Sequence, residues 1–191
     1  MKETLKLVAV LTIICALSAA LLATVYNKTM EPILVALDAK TVNAAREVMP
    51  EGSSDINKVV IGETDFFVAR AENGEIEAVA LEGISNNGYG GKLSLMIGVS
   101  RDKKVVDYKV IVSNETPGCG TKISGEKFKA PLREKLFSSN WKVRQDDGDF
   151  DAITGATISS RAAFECINDA ISKYEQNLAQ LQLNQGSHAA K

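Results

Sequence analysis

The chain has 191 residues, 45% of them hydrophobic, which is enough for one domain with a substantial core and one further element. A formal net charge of −2 provides no basic surface for nucleic acid, and the acidic residues are dispersed, which excludes a polyanionic tail. Ser-His, Cys-His and zinc sites need an imidazole inside the fold or paired thiolates, whereas the only histidine is His188, near the C-terminus, and the three cysteines match no metal spacing. We therefore expect no catalytic residue and no metal site, so any chemistry must come from a bound cofactor.

The first element is an uncharged, apolar segment at residues 7–26. As a helix, these residues would cover about 30 Å, the hydrocarbon thickness of a bilayer. The segment exceeds the roughly 7 to 15 apolar residues of a secretory signal peptide, so we expect a retained transmembrane anchor over residues 1–27. A buried core helix is the alternative, although such a helix normally keeps a polar stripe. Lys2 and Lys6 before the span favour a cytoplasmic N-terminus and a main domain on the outer side of the membrane.

The next segment, residues 28–58, is expected to be a connecting helix. Apolar residues recur at helical spacing from Ile33 to Val48, and Pro50 ends the pattern. The helix either continues directly from the anchor or follows a kink at Pro32. We expect the folded domain to span residues 59–183, and residues 184–191 to be a solvated, disordered tail.

The domain is expected to be α+β, with an antiparallel or mixed sheet flanked by helices. Asn73-Gly74 lies between two β-prone runs and suits a two-residue hairpin turn. Residues 105–112 alternate as a half-buried strand should, and the turn before them lies at Asp102. Two hairpins of this kind predict at least four antiparallel strands.

Helical patterns dominate the rest of the chain. Residues 124–137 predict a short helix that is interrupted or begins near Pro131, and residues 140–145 could add an edge strand. Apolar residues then form one face of a helix over residues 160–183. This helix is the longest element that we expect after the anchor and its connecting segment.

Two glycine-containing loops could hold a flat ligand. In "NNGYGGKL", three glycines let the backbone approach closely, and Tyr89 offers a ring for stacking. In "SNETPGCGTKI", a Pro-Gly turn is surrounded by polar groups, Glu115 and Thr116 among them. Taken alone, each stretch is also consistent with an ordinary connecting loop.

The stretch "DAITGATISS" precedes the last helix and admits two interpretations. Thr157 or Ser159 could cap the helix by accepting a hydrogen bond from a first-turn amide. Alternatively, the free amides and the positive dipole end of the helix could bind a phosphate, with Gly155 and Ala156 leaving the approach to Thr157 open. A phosphate held there could be esterified to a hydroxyl.

Three motifs in the chain resemble those of FMN-binding subunits in membrane redox complexes. "DAITGATISSRAA" resembles the flavinylation motif Asp-x-x-[Ser/Thr]-Gly-Ala-Thr-x-[Ser/Thr] of that family, "ETPGCG" its Glu-Thr-Pro-Gly-Leu-Gly loop, and "GYGG" its glycine-aromatic loop. The motifs occur in the family's order behind a single anchor and cover nearly the whole chain. Within the family, the chain is most similar to G subunits of Rnf-type ion-translocating ferredoxin:NAD oxidoreductases. The C subunit of a related sodium-pumping NADH:quinone oxidoreductase is the alternative.

The resemblance implies a role for each motif residue. Thr157 would carry FMN through a phosphoester bond. A separate flavin transferase would recognise the residues around it, which are Asp151, Thr154, Gly155 and Ala156. Four further residues would lie near the isoalloxazine: Tyr89, Glu115, Thr116 and Cys119. Two positions depart from the family pattern, because Cys119 replaces the usual leucine and Asn114 stands where relatives often have histidine.

The function implied by the resemblance is electron relay through covalent FMN in the cell (inner) membrane. The chain would be one subunit of a translocase that couples electron transfer between ferredoxin and NAD to transport of Na⁺ or H⁺. Its partners would be the other subunits of the complex, and we expect the subunit alone to turn over no substrate. A cofactor-free, membrane-tethered binding module, in which Thr157 only caps a helix, is an alternative of a different class.

Overall fold

The computed structural model describes residues 2–50, 53, 55–71 and 75–183. The chain divides into two compact units, Met1–Lys40 and Thr41–Lys191. The expected disordered tail, residues 184–191 with His188, lies outside the described residues, as does the expected turn at Asn73-Gly74.

The first helix, α1, runs over Lys2–Glu47 and includes Pro32, so the expected continuation of the anchor into a second helical segment is confirmed. Its part Lys2–Met30 has a mean hydropathy of 2.6 and no buried residues in its most apolar window. By length and composition this part can cross a membrane. An exposed apolar helix of this kind is not the buried core helix that was the alternative.

The sheet has six strands: β1 (Asp55–Ile61), β2 (Thr64–Arg70), β3 (Ile76–Gly88), β4 (Gly91–Ser100), β5 (Lys104–Val112) and β6 (Lys135–Leu136). Their spatial order is their order in the chain, and every neighbouring pair is antiparallel. The expectation of an α+β fold with at least four antiparallel strands is therefore confirmed. The turn near Asp102 is also confirmed, since Lys103 takes a positive φ of 57° between β4 and β5.

The expected boundary between the connecting helix and the first strand differs from the structure. The connecting helix was expected to reach residue 58, but α1 ends at Glu47 and β1 begins at Asp55. The physical reason is that β1 contains β-branched residues near its end, which favour a strand over a helix. There, Val59 and Val60 pair with Phe66 and Asp65 of β2.

The edge strand expected at residues 140–145 is wrong. Val143 makes only an isolated bridge to Phe150, and Arg144–Asp146 is a 3-10 turn. The alternating pattern instead reflects a loop that buries Trp141 and Val143 in the core. The sixth strand is β6, which lies inside the segment that was expected to be helical.

Short helical turns connect β5 to β6. A 3-10 turn at Gly120–Ser124 is followed by the one-turn helix α2 (Glu126–Lys129) and a second 3-10 turn at Ala130–Leu132 that contains Pro131. The short helix interrupted near Pro131 is thus confirmed, because proline cannot continue the α-helical hydrogen bonding. The last helix, α3, covers Thr157–Leu183 and starts three residues earlier than expected.

Both faces of the sheet are covered, and the period of two along β2 and β4 separates the two cores. On β2, Phe66 and Val68 belong to the core under α3, whereas Phe67 and Ala69 face the opposite core. The second core is closed by Ala44, Ala45, Val48 and Met49, from the end of α1 and the residues that follow it.

An aromatic stack fixes the start of α3. The ring of Phe150 stacks on Trp141 at 4.8 Å and on Phe164 of α3 at 5.2 Å between ring centroids. Because Phe150 is held on both sides, the loop that follows it enters α3 from a defined point.

Candidate functional site

The loop before α3 is held by its own helix. The hydroxyl of Ser160 accepts the Ile153 amide hydrogen at 3.0 Å and donates to the Ala156 carbonyl at 2.9 Å, while the Ala156 amide donates to the Ile153 carbonyl. Gly155 has φ +80°, a conformation that favours glycine. These bonds form a tight turn that ends at Thr157, the first residue of α3.

Thr157 is therefore inside the first helical turn rather than the residue before the helix. The alternative cap, Ser159, donates its hydroxyl hydrogen to Glu115 at 2.6 Å and is buried. By helix geometry, the amides of this first turn have no carbonyl partner inside α3. The N-terminus of α3 thus presents free donors beside a half-buried threonine hydroxyl.

Glu115 lies where the loops meet and is only 6% exposed. Its Oε2 accepts the Ser159 hydroxyl, and its Oε1 accepts the Gly90 amide hydrogen at 3.4 Å. Its own amide donates to Ser113 Oγ at 3.2 Å. One carboxylate therefore contacts both the β3–β4 hairpin loop and the first turn of α3.

A pocket of about 520 Å³ opens between these segments. It brings together seven of the nine residues that the sequence motifs singled out: Tyr89, Glu115, Thr116, Cys119, Gly155, Ala156 and Thr157. These residues come from three separate stretches of the chain. Tyr89 at the rim is 70% exposed, so its ring is free to meet a ligand.

The other two motif residues lie elsewhere. Asp151 and Thr154 line a neighbouring groove of about 540 Å³, together with Lys122 and Lys127. The Asp151 carboxylate is 82% exposed and forms an ion pair with Arg144 at 2.8 Å. The motif before α3 is therefore divided between two surfaces.

Three further residues line the pocket that the sequence motifs did not single out as candidate ligand contacts: Gly120, Ile158 and Ser159. Gly120 is the last residue of "ETPGCG", and its spacing after Glu115 was a usable signal. Ile158 is 47% exposed at the start of a helix, and a single exposed apolar residue is too common on protein surfaces to have been a signal in the sequence.

The two cysteines of the domain have different surroundings. Cys119 is half-buried in the pocket, and its thiol donates to the Gly155 carbonyl at 3.1 Å. Cys166 belongs to α3 and is buried, and burial raises the pKa of its thiol to about 12. Cys166 therefore remains a protonated core residue at neutral pH.

Comparison with known proteins assigns the family. Residues 88–172 match the model of the FMN-binding domain, and this range contains the whole pocket. The G subunit of the proton-translocating ferredoxin:NAD(+) oxidoreductase complex of Clostridium ljungdahlii is 31% identical over 163 residues, which cover 84% of this chain and 86% of the relative. The G subunit of the ion-translocating oxidoreductase complex of Vibrio atlanticus is 30% identical over 186 residues, 88% of each chain.

The crystal structure of Shewanella oneidensis NqrC is similar in fold. The TM-score is 0.50 at 19% sequence identity, and the match covers 63% of this chain and 61% of that chain. At this identity the likeness concerns the fold alone. Sequence similarity over most of both chains is decisive, and by that criterion the chain belongs to the family of G subunits of ion-translocating oxidoreductase complexes.

Proposed function

We propose that this chain is an electron-transfer subunit of an ion-translocating oxidoreductase, with FMN bound in the pocket and attached to Thr157. The observation that carries the proposal is the convergence of three separate loop segments on one pocket with the Thr157 hydroxyl at a helix N-terminus. The family assignment and the match to the FMN-binding domain support the same function.

The residues of the pocket fit a flavin. Its volume lies within the range of about 300 to 1,000 Å³ that is typical of cofactor sites. The exposed ring of Tyr89 can stack on a flat heterocycle. The first-turn amides of α3 and its positive dipole end suit a phosphate beside Thr157.

The proposed link is a phosphoester. A bond would form between Thr157 Oγ1 and the flavin phosphorus while the bond from that phosphorus to its leaving oxygen breaks, and the hydroxyl proton would pass to the leaving group. The protein would gain the mass of one FMN less one water. A threonine hydroxyl is a weak nucleophile that needs an activating base. The titratable residues that line the described pocket are Tyr89, Glu115 and Cys119, and Glu115 is engaged by Ser159. Attachment therefore depends on a separate flavin transferase.

The division of the motif indicates how such an enzyme would approach. Gly155, Ala156 and Thr157 line the pocket, whereas Asp151 and Thr154 are exposed on the neighbouring groove. An enzyme that recognises Asp151 and Thr154 would bind the exposed surface of the groove and reach Thr157 at the edge of the pocket. This approach leaves the Tyr89 rim of the pocket available for the flavin ring.

Bound FMN supplies the electron-carrying chemistry, because it can accept and donate electrons singly or in pairs. The protein would bind and orient it: Tyr89 offers a stacking surface, Cys119 and Thr116 line the cavity, and Thr157 would retain it covalently. Electron relay needs no acid or base from the chain. The subunit alone is expected to turn over no substrate, since ferredoxin and NAD sites would belong to its partners.

The location follows from α1 and from the family. The apolar helix at Lys2–Met30 serves as a membrane anchor for a subunit of a membrane complex. Lys2 and Lys6 support a cytoplasmic N-terminus, and with that orientation the flavin unit would lie on the outer or periplasmic side. A covalent link would prevent loss of the cofactor there. The complex would couple electron transfer between ferredoxin and NAD to movement of Na⁺ or H⁺.

The G-subunit assignment is favoured over the C-subunit alternative, because the likeness to NqrC concerns the fold alone. The colour of the purified protein distinguishes the proposed flavin-binding subunit from a cofactor-free module, which would carry no flavin. The native protein should be yellow and should give a fluorescent flavin band after denaturing electrophoresis.

The decisive experiment compares Thr157→Val with Thr116→Val, each produced together with the maturation enzyme. Both substitutions keep the β-branched shape and remove one hydroxyl from the same pocket. We expect Thr116→Val to keep the added mass of FMN less water and Thr157→Val to lose it, together with in-gel fluorescence. FMN that resists denaturation in Thr157→Val would refute the assignment and direct the search to Thr154, Ser159 and Ser160.

A further inference from the structure

The side chain of Glu115 is directed at protein groups on two sides. Its two oxygens accept hydrogen bonds from Ser159 on α3 and from the Gly90 amide in the hairpin loop. The carboxylate is almost fully buried. Glu115 is thus bonded to both segments that carry the proposed flavin contacts, Tyr89 and Thr157.

The backbone around Glu115 is shaped to accept the carboxylate. A Cβ atom at Gly88 would lie 2.6 Å from Oε1, and one at Gly120 would overlap Oε2. A Cβ at Gly90 would overlap the carbonyl of Asn114, the residue before Glu115. Gly88 and Gly120 therefore let the backbone approach this side chain from two sides, and Gly90 lets the hairpin loop approach the peptide that precedes it.

Helix geometry gives these bonds a consequence for Thr157. Successive residues of an α-helix are about 100° apart, so Thr157 and Ser159 project about 200° apart around α3. The bond from buried Ser159 to Glu115 fixes the inner face of the first turn, which leaves Thr157 on the side of the pocket opening. In the same way, the bond to Gly90 fixes the peptide next to Tyr89.

We propose that Glu115 is a positioning residue: its carboxylate holds the Tyr89 loop and the first turn of α3 in the relative placement that puts Tyr89 and Thr157 on one pocket. This inference rests on the proposed flavin function. Glu115 acts through Gly90 and Ser159 and not by direct chemistry on the flavin.

Two substitutions at Glu115 can separate the effect of its hydrogen bonds from the effect of its charge. A carboxylate near the N-terminus of α3 is favoured by the helix dipole, so charge alone could explain its presence. A glutamine of the same shape can accept from the Gly90 amide through its oxygen and donate to Ser159, because a hydroxyl accepts as well as donates. Glu115→Gln therefore keeps both bonds and removes the charge, whereas Glu115→Ala removes both.

A matched control lies in the same sheet. Glu82 on β3 accepts the hydroxyl of Ser94 on β4, so it forms the same kind of glutamate–serine pair. Glu82 lines a different cavity, with Thr41 and Lys173, and does not line the Thr157 pocket. Glu82→Ala consequently removes a glutamate–serine hydrogen bond elsewhere in the sheet without touching the proposed site.

The test uses the full chain and two measurements. Amide hydrogen exchange on the flavin-free protein should show faster exchange at Gly90 and in the first turn of α3 for Glu115→Ala, with β3 and β4 unchanged. Incorporation of FMN by the maturation enzyme should slow by about 10- to 100-fold, the range expected from losing hydrogen bonds to a charged group. Glu115→Gln and Glu82→Ala should stay close to wild type in both measurements.

Several results would overturn the proposal. Wild-type exchange and incorporation in Glu115→Ala would show that the carboxylate holds neither segment. Equal losses in Glu115→Gln and Glu115→Ala would assign the effect to charge and refute positioning. If Glu115→Ala does not fold, Ser159→Ala removes one of the two bonds and should give faster exchange confined to the first turn of α3; unchanged exchange there would equally refute the proposal. Absence of FMN from the wild-type protein would refute the proposed function instead, and the exchange data would still decide the role of Glu115.

Discussion

Gly120→Ala adds a Cβ atom beside Glu115 and Ser159 and therefore tests how tightly the residues around the pocket are packed. The new Cβ would overlap Glu115 Oε2 and lie 2.7 Å from Ser159 Oγ. Neither neighbour can move freely, because each is buried and the two are bonded to each other. Overpacking of this kind costs about 1 to 3 kcal/mol. For a folded unit of this size, the expected loss is about 2 to 12 °C in Tm.

Gly125→Ala is the control for Gly120→Ala. Gly125 is exposed with φ −79°, and its nearest neighbour to a new Cβ is the Lys122 carbonyl at 3.1 Å, so we expect a loss of well under about 1 kcal/mol. Thermal unfolding of the flavin-free full chain in detergent can be followed by the fluorescence of Trp141, the only tryptophan, which is buried in the domain core. Equal midpoints for the two variants would refute the packing described around Glu115.

Three further predictions concern the flavin, the acid response and the membrane. Tyr89→Ala should leave the phosphoester intact but shift the flavin absorption spectrum, since a stacking contact contributes about 0.5 to 1.5 kcal/mol beyond burial; an unchanged spectrum would remove Tyr89 from the site. Burial raises the pKa of Asp107, but hydrogen bonds from Lys129 and Arg133 outweigh burial and hold that pKa below its usual value. The stability that these bonds provide is therefore present above about pH 4 and lost as the pH falls further, so denaturation midpoints from pH 5 to pH 2 should fall less for Asp107→Asn than for wild type. Protease added to intact right-side-out cells that express the subunit alone should cleave its folded unit, and cleavage only after lysis would contradict the proposed orientation.

The sheet could be predicted from sequence where local chemistry decides the conformation. The strand β5 and the turn at Asp102 are local signals, and both match the structure. The expected alternation along β5 is wrong, because its register with β4 shifts at two points and the buried positions fall at Val105, Tyr108 and Ile111. The segment around Trp141 could not be assigned in this way, because its alternation comes from two side chains that enter the core from a loop. A pattern of period two identifies buried positions without identifying a hydrogen-bonded neighbour.

The candidate site could likewise be predicted from the sequence only in part. Resemblance grouped Thr154 with Thr157, but the turn at Gly155 places them on different cavities. The role of Glu115 also depends on tertiary structure, since its partners Gly90 and Ser159 are distant from it in the chain. Sequence motifs can identify which residues matter, whereas the direction of each side chain requires the packed fold.

The order of the strands has a consequence for the timing of maturation. Because β1 to β5 pair in their order along the chain and are joined by short connections, each of these strands can join its neighbour soon after synthesis, and β6 follows after the short helical turns. Thr157 follows all six strands, and its loop is held by Phe164 and Ser160 of α3. A nascent chain that has completed the sheet but not α3 would therefore offer no ordered acceptor hydroxyl, so the flavin content of the subunit would record the completion of its folding.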